Sequence, residues 1–433
     1  MVTTAAASSD VRGLTGIRGV AALLVATYHF ALPQLTVGSL GFRLLGRGYL
    51  YVDLFFILSG YVIALNYGSN FAYGVDFKSF RAFLWKRIAR VYPLYLAVLS
   101  TMVIGYWLVH RDFDLHPGWW ISVQMSRPWL DLPLNAALIQ TWGFGDGIVG
   151  QAWSVSAEVA AYLVFPWLAR GIFGNRRGGL VFLVVLGVAA TLVAAQHFGS
   201  TDGQYHAGAF DIWDGPPAVM RGLGGFTLGL CLYRLSGSRI DYLVSSDFFG
   251  LCAIGLWLVM LDRSTPDLLL YIPFGALVLC LSNNRGKLGA VFGSAPLYGM
   301  GLLSYSFYLI HVYFIPPMHA LTSFLSPIAS ETLAKVVAMA TTIAALLVCS
   351  SVAYVAVERP ARNLLRRSRR SAGSGSRAVR ESRDPNHASN ADLRRRLVHT
   401  ARFASSVSES DGSAFTVTIR PARGRVRGCR IAR

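Results

Sequence analysis

The sequence carries little charge for its length. Only 14% of its 433 residues are charged, whereas 54% are hydrophobic. Ordinary soluble domains have about 25% charged residues, which cover the surface that faces water. The deficit excludes a disordered, collagen-like or coiled-coil protein and argues against one or two water-soluble domains. A polytopic membrane protein is the class that remains.

Cysteine is also scarce, and its placement argues against a disulfide framework or a metal centre. The five Cys residues are scattered, four of them within apolar stretches, and none forms a C-x-x-C or Cys/His cluster. We interpret them as small buried hydrophobic residues. The sequence therefore predicts no metal site and no permanently bound cofactor.

The net charge of +18 suggests a nucleic-acid partner at first, but its distribution argues against one. Residues 361–433 contain 18 Arg, no Lys and five acidic residues, so most of the net charge lies in this tail. The rest of the chain shows no basic face suited to a nucleic-acid groove. We predict a basic, disordered cytoplasmic tail over 359–433 that contacts anionic lipids, and no nucleic-acid partner.

Long apolar runs occupy most of the chain before this tail. A bilayer core roughly 30 Å thick needs about 20 apolar residues, because a helix rises about 1.5 Å per residue. The candidate runs are 14–32, 49–66, 91–109, 153–170, 178–196, 218–235, 248–262, 268–283, 296–316 and 333–357. The sequence predicts an all-α domain of about ten transmembrane helices over 14–358, preceded by a short segment, 1–13.

The distribution of Lys and Arg predicts the orientation in the membrane. Basic residues collect in the links after even-numbered spans, and acidic residues are more frequent in the odd-numbered links. The basic links are expected in the cytoplasm, so an even number of spans places both termini there, in a cell (inner) membrane protein. The first run could instead be a signal peptide, but it contains Arg18 and His29 and no clear A-x-A site follows it. We therefore predict a retained span.

The first candidate span contains two ionisable residues, which are costly inside a membrane and often mark function. Arg18 and His29 are eleven residues apart, which puts them within roughly 20° on one helical face and about 16 Å apart along it. A neutral imidazole can take a proton from a hydroxyl near physiological pH. The alternative interpretations are a topology-setting Arg and a packed core His.

Further ionisable residues divide between the two membrane surfaces. Asp53, Glu158 and His311 are predicted toward the outer leaflet, at a depth similar to that of His29. Asp53 either orients the imidazole or forms a structural ion pair. Arg87 and Arg90 are three residues apart on one helical face at the cytoplasmic surface, where they either bind phosphate or only set topology. This layout predicts an outward-facing reactive site supplied by a phosphate-bearing donor held toward the cytoplasm.

These residues occur in segments that resemble the membrane-bound acyltransferase 3 family, which O-acylates lipopolysaccharide, peptidoglycan and exopolysaccharide. The likeness covers about residues 12–365. It is carried by Arg18-(ten residues)-His29, Asp53-Leu-Phe-Phe-Ile-Leu-Ser59-Gly60-Tyr61, Arg87-x-x-Arg90 with Tyr92-Pro93, Trp153-Ser154-x-x-x-Glu158, and Ser304-Tyr305-Ser306-x-Tyr308-x-x-His311. Val159 follows Glu158 where relatives often have a second acidic residue, which argues against a paired-carboxylate mechanism there. The chain resembles the stand-alone members that have no appended esterase-like domain.

The resemblance implies the reaction and the roles of these residues. The expected donor is cytoplasmic acyl-coenzyme A, most simply acetyl-coenzyme A. The expected acceptor is a hydroxyl of a cell-surface carbohydrate or lipid-linked glycan on the other side of the membrane. The implied catalytic residues are His29, Glu158 and Asp53, and the implied donor-binding residues are Arg18, Arg87 and Arg90. Trp153, Tyr305 and His311 are candidates for substrate binding.

The ionisable residues also allow two interpretations without acyl transfer. A proton-coupled transporter of a small molecule or glycan precursor would use them as a proton relay. Such a transporter predicts internal repeats and matching broken helices, neither of which the sequence shows convincingly. A polysaccharide-assembly scaffold would have no need of His29.

Overall fold

The computed structural model describes residues 11–31, 45–110, 127–174, 187, 210–262, 265–283 and 286–363. The chain divides into two units, Met1–Leu365 and Arg366–Arg433, and every described residue belongs to the first. Most of the predicted tail therefore lies outside the described residues. The described ranges contain helices and turns and no strand, which confirms the all-α prediction for this part of the chain.

The α-helices of the described ranges differ widely in length. They are α1 Arg12–Ala31, α2 Tyr51–Phe71, α3 Phe77–His110, α4 Pro128–Ala136, α5 Trp153–Phe173, α6 Gly215–Leu235, α7 Arg239–Val244, α8 Asp247–Asp262, α9 Tyr271–Ser282, α10 Lys287–Phe292, α11 Ala295–Ile310, α12 Ile315–Leu325 and α13 Glu331–Ala353. Short 3-10 turns precede α2, α5 and α9 at Gly48–Leu50, Gly150–Ala152 and Asp267–Leu270, and another, His311–Phe314, follows α11.

Five of the described helices are long and apolar enough to cross a membrane, so the chain is a membrane protein. They are Arg12–Ala31, Gly48–Phe71, Phe77–Leu108, Gly150–Phe173 and Glu331–Asn363. The predicted count of about ten spans is not confirmed, because the apolar helices Asp247–Leu261 and Asp267–Ser282 are shorter. The predicted span 178–196 lies outside the described residues apart from Gly187.

Two predicted spans differ from the structure in extent. Helix α3 begins at Phe77, well before the predicted span 91–109, so Arg87 and Arg90 lie within the same helix as that span. Pro93 is accommodated inside this helix, as membrane helices tolerate proline where neighbouring groups satisfy the freed backbone atoms. The predicted span 296–316 is divided after Ile310, because the prolines that follow form the first turn of α12.

The end of α13 also differs from the predicted domain boundary at residue 358. The helix passes into a π-helical turn, Tyr354–Glu358, and continues through Asn363. Isolated π turns occur frequently at functional sites, because they shift the register of the side chains that follow. Here the turn brings Glu358 and Arg362 toward the bundle.

Helix α2 occupies the centre of the bundle. Its apolar stretch is 78% buried, compared with 22% for α13, so α2 is surrounded by protein and α13 lies at the periphery. Helix α2 packs along α6, and the contact depends on two glycines. A Cβ on Gly60 would overlap the Phe226 carbonyl oxygen, and one on Gly229 would overlap the Ile57 carbonyl oxygen. This close packing sets α2 and α6 side by side with little room for substitution at either glycine.

Helices α1 and α11 form the second close pair. A Cβ on Gly19 would overlap the backbone at Gly301, and one on Gly301 would overlap the Thr15 carbonyl oxygen. Farther along both segments, the side chains of His29 and His311 are in contact. The two helices therefore run in the same direction, and their C-terminal ends bring two histidines together.

Candidate active site

A cavity lies between α1, α2, α3, α5 and α11, with an empty volume of about 780 Å³ that includes space open to solvent. Its polar lining consists of Arg18, Ser59, Arg87, Arg90, Ser154, Glu158, Tyr162, Ser304, Tyr305 and Tyr308. Apolar side chains of α2, α3 and α5 complete the walls. The fold thus brings together the predicted site residues Arg18, Arg87, Arg90, Glu158 and Tyr305, although they are far apart in the sequence.

Several guanidinium groups converge on one wall of this cavity. Arg90 lies within electrostatic range of Arg18, Arg87 and Arg362. Arg87 donates to the Tyr67 hydroxyl at 3.1 Å and stacks on that ring, while its buried Nε has no hydrogen-bond partner. In the part of the chain that the structure describes, neither Arg18 nor Arg90 has a hydrogen bond or close ion pair with another side chain. The four guanidinium groups outnumber the two nearby carboxylates, Glu158 and Glu358, so this wall carries a net positive charge that suits the binding of an anion.

Among the described residues, Glu158 is the only carboxylate that lines the cavity, and it lies at this cationic end. It accepts hydrogen bonds from the hydroxyls of Ser59 and Tyr162, and it lies within electrostatic range of Arg18. The carboxylate is therefore positioned among the arginines and not beside His29. Within the described residues, no group of three or more His, Cys, Asp or Glu side chains is arranged to hold a metal ion.

His29 and His311 form a pair next to the cavity. His29 Nδ1 lies 2.9 Å from the Val25 carbonyl oxygen and 3.3 Å from His311 Nε2. His311 is completely buried, and its Nδ1 is 2.5 Å from the Tyr308 carbonyl oxygen. The Tyr308 ring is 5.7 Å from the His311 ring and also lines the cavity. Tyr308 therefore connects the cavity wall with the two imidazoles.

Hydrogen bonds fix the tyrosines of α11 that lie between the arginines and the histidines. The Tyr305 hydroxyl donates to the Val91 carbonyl oxygen at 2.7 Å. The Tyr308 hydroxyl is 2.9 Å from both the Gln151 carbonyl oxygen and Ser154 Oγ. One wall of the cavity is thus a rigid strip of α11 that extends from the cationic cluster toward the histidine pair.

Asp53 lies in a different buried cluster. Arg221 of α6 donates to its two carboxylate oxygens at 3.0 and 2.6 Å, and the Tyr271 hydroxyl donates at 2.6 Å. Both partners of the ion pair are almost fully buried. The structure therefore places Asp53 in an ion pair and not against His29, because the close contact of α2 with α6 supplies a cation at the carboxylate.

Trp153 belongs to the same cluster. The Arg221 guanidinium lies 5.1 Å from the centre of the Trp153 ring, and Phe56 packs against its edge. Trp153 does not contribute to the cavity lining. Of the predicted site residues, Asp53 and Trp153 are thus grouped around Arg221, apart from both the cavity and the histidine pair.

Breaking the Asp53–Arg221 pair is expected to destabilise the protein. Either Asp53→Leu or Arg221→Met alone leaves an uncompensated buried charge, which costs about 3–5 kcal/mol, so the thermal midpoint in detergent should fall markedly. The double variant Asp53→Leu/Arg221→Met removes both charges and should be more stable than either single variant. Retention of acyl transfer by the double variant would assign Asp53 a structural role, whereas inactivity of a stable double variant would support the predicted catalytic role.

Three charged residues of these clusters do not figure in the sequence prediction. Arg221 lies inside the predicted span 218–235, where an ionisable residue is itself a signal. Glu358 accepts a hydrogen bond from Ser306 and pairs with Arg362 at 2.6 Å, and Arg362 lies within electrostatic range of Arg18. Both residues follow the last predicted apolar run, so a search confined to the spans does not include them.

The helical membrane fold and its cation-lined cavity beside a histidine pair define a class of membrane-embedded enzyme. Residues 11–355 match the family model for an acyltransferase domain, named Acyl_transf_3. The chain belongs to this acyltransferase 3 family, as the motifs indicated. It is an acyltransferase that transfers groups other than aminoacyl groups, which decides between the enzyme and the transporter interpretation.

Three relatives match the chain, and two of them are named as acyltransferases. The chain is 28% identical to acyltransferase MdmB of Streptomyces mycarofaciens, over 71% of this chain and 80% of the relative. It is 29% identical to YrhL of Bacillus subtilis (strain 168), provisionally named a peptidoglycan O-acetyltransferase, over 70% of this chain and 48% of the relative. Protein 2 in picA locus of Rhizobium radiobacter is 32% identical, over 43% of this chain and 94% of the relative. No solved structure matches the chain.

Proposed function

We propose that this acyltransferase moves an acyl group from acyl-coenzyme A on the cytoplasmic side to a hydroxyl of a carbohydrate on the outer side of the cell membrane. The observation that carries the proposal is the continuous arrangement of three arginines, the cavity and the histidine pair. The name of the Bacillus relative supports acetyl as the acyl group and a glycan as the acceptor class. The basic residues in the first half of α3, Lys78, Arg81 and Lys86, support a cytoplasmic location for the arginines.

Coenzyme A suits the cationic end of the cavity because its phosphates need several guanidinium partners. Arg18 and Arg90 form no hydrogen bond or close ion pair with a side chain in the described residues, although Glu158 lies within electrostatic range of Arg18, and Arg87 offers a buried Nε without a partner. Guanidinium groups bind phosphate oxygens in a fork, with hydrogen bonds strengthened by charge. With the phosphates held there, the thioester extends along the α11 strip toward Tyr308.

His29 would act as the general base in the transfer step. The acceptor hydroxyl gives its proton to Nε2 of His29 while its oxygen forms a bond to the thioester carbonyl carbon. The carbon–sulfur bond then breaks, and the proton passes to the departing thiolate. The products are an ester and free coenzyme A, so no oxidant or further reactant is needed. Glu158 would help to hold Arg18 in place, since it lies at the cationic end.

The glycan composition of the host cell tests this function directly. Surface polysaccharide from the parent strain is expected to carry ester-linked acyl groups that mild alkali removes, whereas polysaccharide from a strain lacking the gene should not. Mass spectrometry before and after alkali treatment measures the difference and identifies both the acyl group and the modified sugar. Restoring the gene on a plasmid is the control. Identical ester content in the parent and deletion strains would contradict a role in glycan acylation.

A further inference from the structure

The hydrogen bonds around the histidine pair determine which nitrogens carry protons. A carbonyl oxygen can only accept, so His29 Nδ1, at 2.9 Å from the Val25 oxygen, is a donor. By the same argument His311 Nδ1, at 2.5 Å from the Tyr308 oxygen, is also a donor. In the neutral rings, the Nε2 atom of each histidine therefore carries a lone pair.

This assignment shows which ring donates the hydrogen bond between the two histidines. His311 Nε2 is the acceptor, and the Nδ1–H of His29, 3.3 Å away, is shared between it and the Val25 carbonyl oxygen. His29 Nε2 is left as the basic nitrogen. The ring that would accept the substrate proton is thus held in one tautomer by the Val25 carbonyl oxygen together with a second imidazole, in the way that a third group orients the base in a catalytic triad.

The position of His311 is itself rigid. The residue follows the last turn of α11, is completely buried, and packs within 5.7 Å of the fixed Tyr308 ring. Its ring centre is 4.9 Å from that of His29. Asp53, the predicted orienting group, is already paired with Arg221 and Tyr271. Among the described residues, His311 is therefore the side chain that fills this role.

We propose that His311 is the positioning residue of the catalytic base: its Nε2 accepts the Nδ1–H of His29 and so directs His29 Nε2 toward the acceptor hydroxyl. When Nε2 takes the proton, the imidazolium keeps its Nδ1–H bond to a neutral acceptor, and no carboxylate is needed beside it. This inference rests on the proposed function, since it assumes that His29 is the base. It assigns to His311 a role other than the predicted substrate contact.

Two substitutions at His311 distinguish the loss of the hydrogen bond from a change in packing. His311→Phe keeps an aromatic ring but has no acceptor, and we expect kcat to fall about 10- to 100-fold, the loss that follows when the outer partners of metal-ligating histidines are removed. His311→Gln places an amide oxygen near the former Nε2 position, so it should keep kcat within a few-fold of the parent protein. The apparent KM for acetyl-coenzyme A should stay within about two- to threefold in both, because neither change touches the arginines.

A double variant supplies a readout that a merely structural role would not change. If His311 acts through His29, then His29→Ala/His311→Phe should be no slower than His29→Ala alone. Independent contributions would instead multiply. Should His311→Phe fail to give monodisperse protein, His311→Met serves in its place, because Met has the shape of Gln without the amide.

The outcomes distinguish failure of this inference from failure of the proposed function. Unchanged kcat in His311→Phe, or equal loss in the Phe and Gln variants, would overturn the positioning role while leaving His29 as the base. Full activity of His29→Ala would overturn the base assignment and the inference together. Absence of acyl transfer from acetyl-coenzyme A by the parent protein, in proteoliposomes with surface glycan from the deletion strain, would overturn the proposed function itself.

Discussion

Replacement of His29 by Ala is expected to lower kcat for acyl transfer by about 10²–10⁴-fold, the usual contribution of a positioned general base. Without an imidazole near the C-terminal end of α1, the acceptor hydroxyl must lose its proton to water. The apparent KM for acyl-coenzyme A should change little, since the arginines that would hold the donor lie at the other end of the cavity. Release of free coenzyme A thiol and formation of the glycan ester measure the effect together.

A second histidine provides the matched control for this experiment. His319 lies on α12, outside both the cavity lining and the histidine pair, so His319→Ala should transfer acyl groups at nearly the parent rate. Both variants should show the same expression and a single peak in size-exclusion chromatography. Activity of His29→Ala within twofold of the parent would exclude His29 as the base, and equal losses in both variants would indicate damage to the fold.

The second large effect is expected from the paired arginines. Arg87→Ala/Arg90→Ala removes two guanidinium groups from the cationic wall of the cavity. Hydrogen bonds to charged groups contribute about 1.5–3 kcal/mol each, so the loss of both should weaken coenzyme A binding by at least about 10²-fold. Titration of purified protein with coenzyme A itself, at one fixed salt concentration, measures the affinity without requiring catalysis.

The same helix offers a control with an identical change in net charge. Lys78 and Arg81 lie earlier on α3, are exposed, and do not line the cavity. Lys78→Ala/Arg81→Ala should therefore bind coenzyme A with nearly the parent affinity. A similar loss in both double variants would show that the basic segment attracts the donor only through its overall charge. An unchanged affinity in Arg87→Ala/Arg90→Ala would mean that these two arginines only set the membrane topology.

Helical periodicity explains the positions in the site that the sequence predicted correctly. The distance between Arg18 and His29 follows from the rise of one continuous helix, and α1 does run from Arg12 to Ala31. Arg87 and Arg90 share a face because three residues make nearly one turn. In both cases the two residues lie on the same helix, so local geometry is sufficient.

Predictions about residues on different helices were less successful, because similar depth in a membrane does not determine lateral distance. Asp53 and His29 were expected at one level, yet Asp53 is paired with Arg221. Glu158 was expected toward the outer leaflet beside His29 but lies with the arginines. Which helices are neighbours depends on close packing at positions such as Gly60 and Gly229, where only the three-dimensional arrangement shows what a side chain would meet.

The amino-acid sequence by itself determined the all-α membrane character, the acyltransferase motifs and the spacing of ionisable residues along each helix, since hydropathy and the helical repeat are local properties. Only the tertiary structure decided which ionisable groups are in contact or close together: Asp53 with Arg221, Glu158 with the cationic wall, and His29 with His311. The physical reason is that a buried polar group is costly unless it is paired, so a bundle is stabilised by any packing that pairs such groups. The sequence alone is compatible with several pairings of the same residues, and the packing of the helices selects one of them.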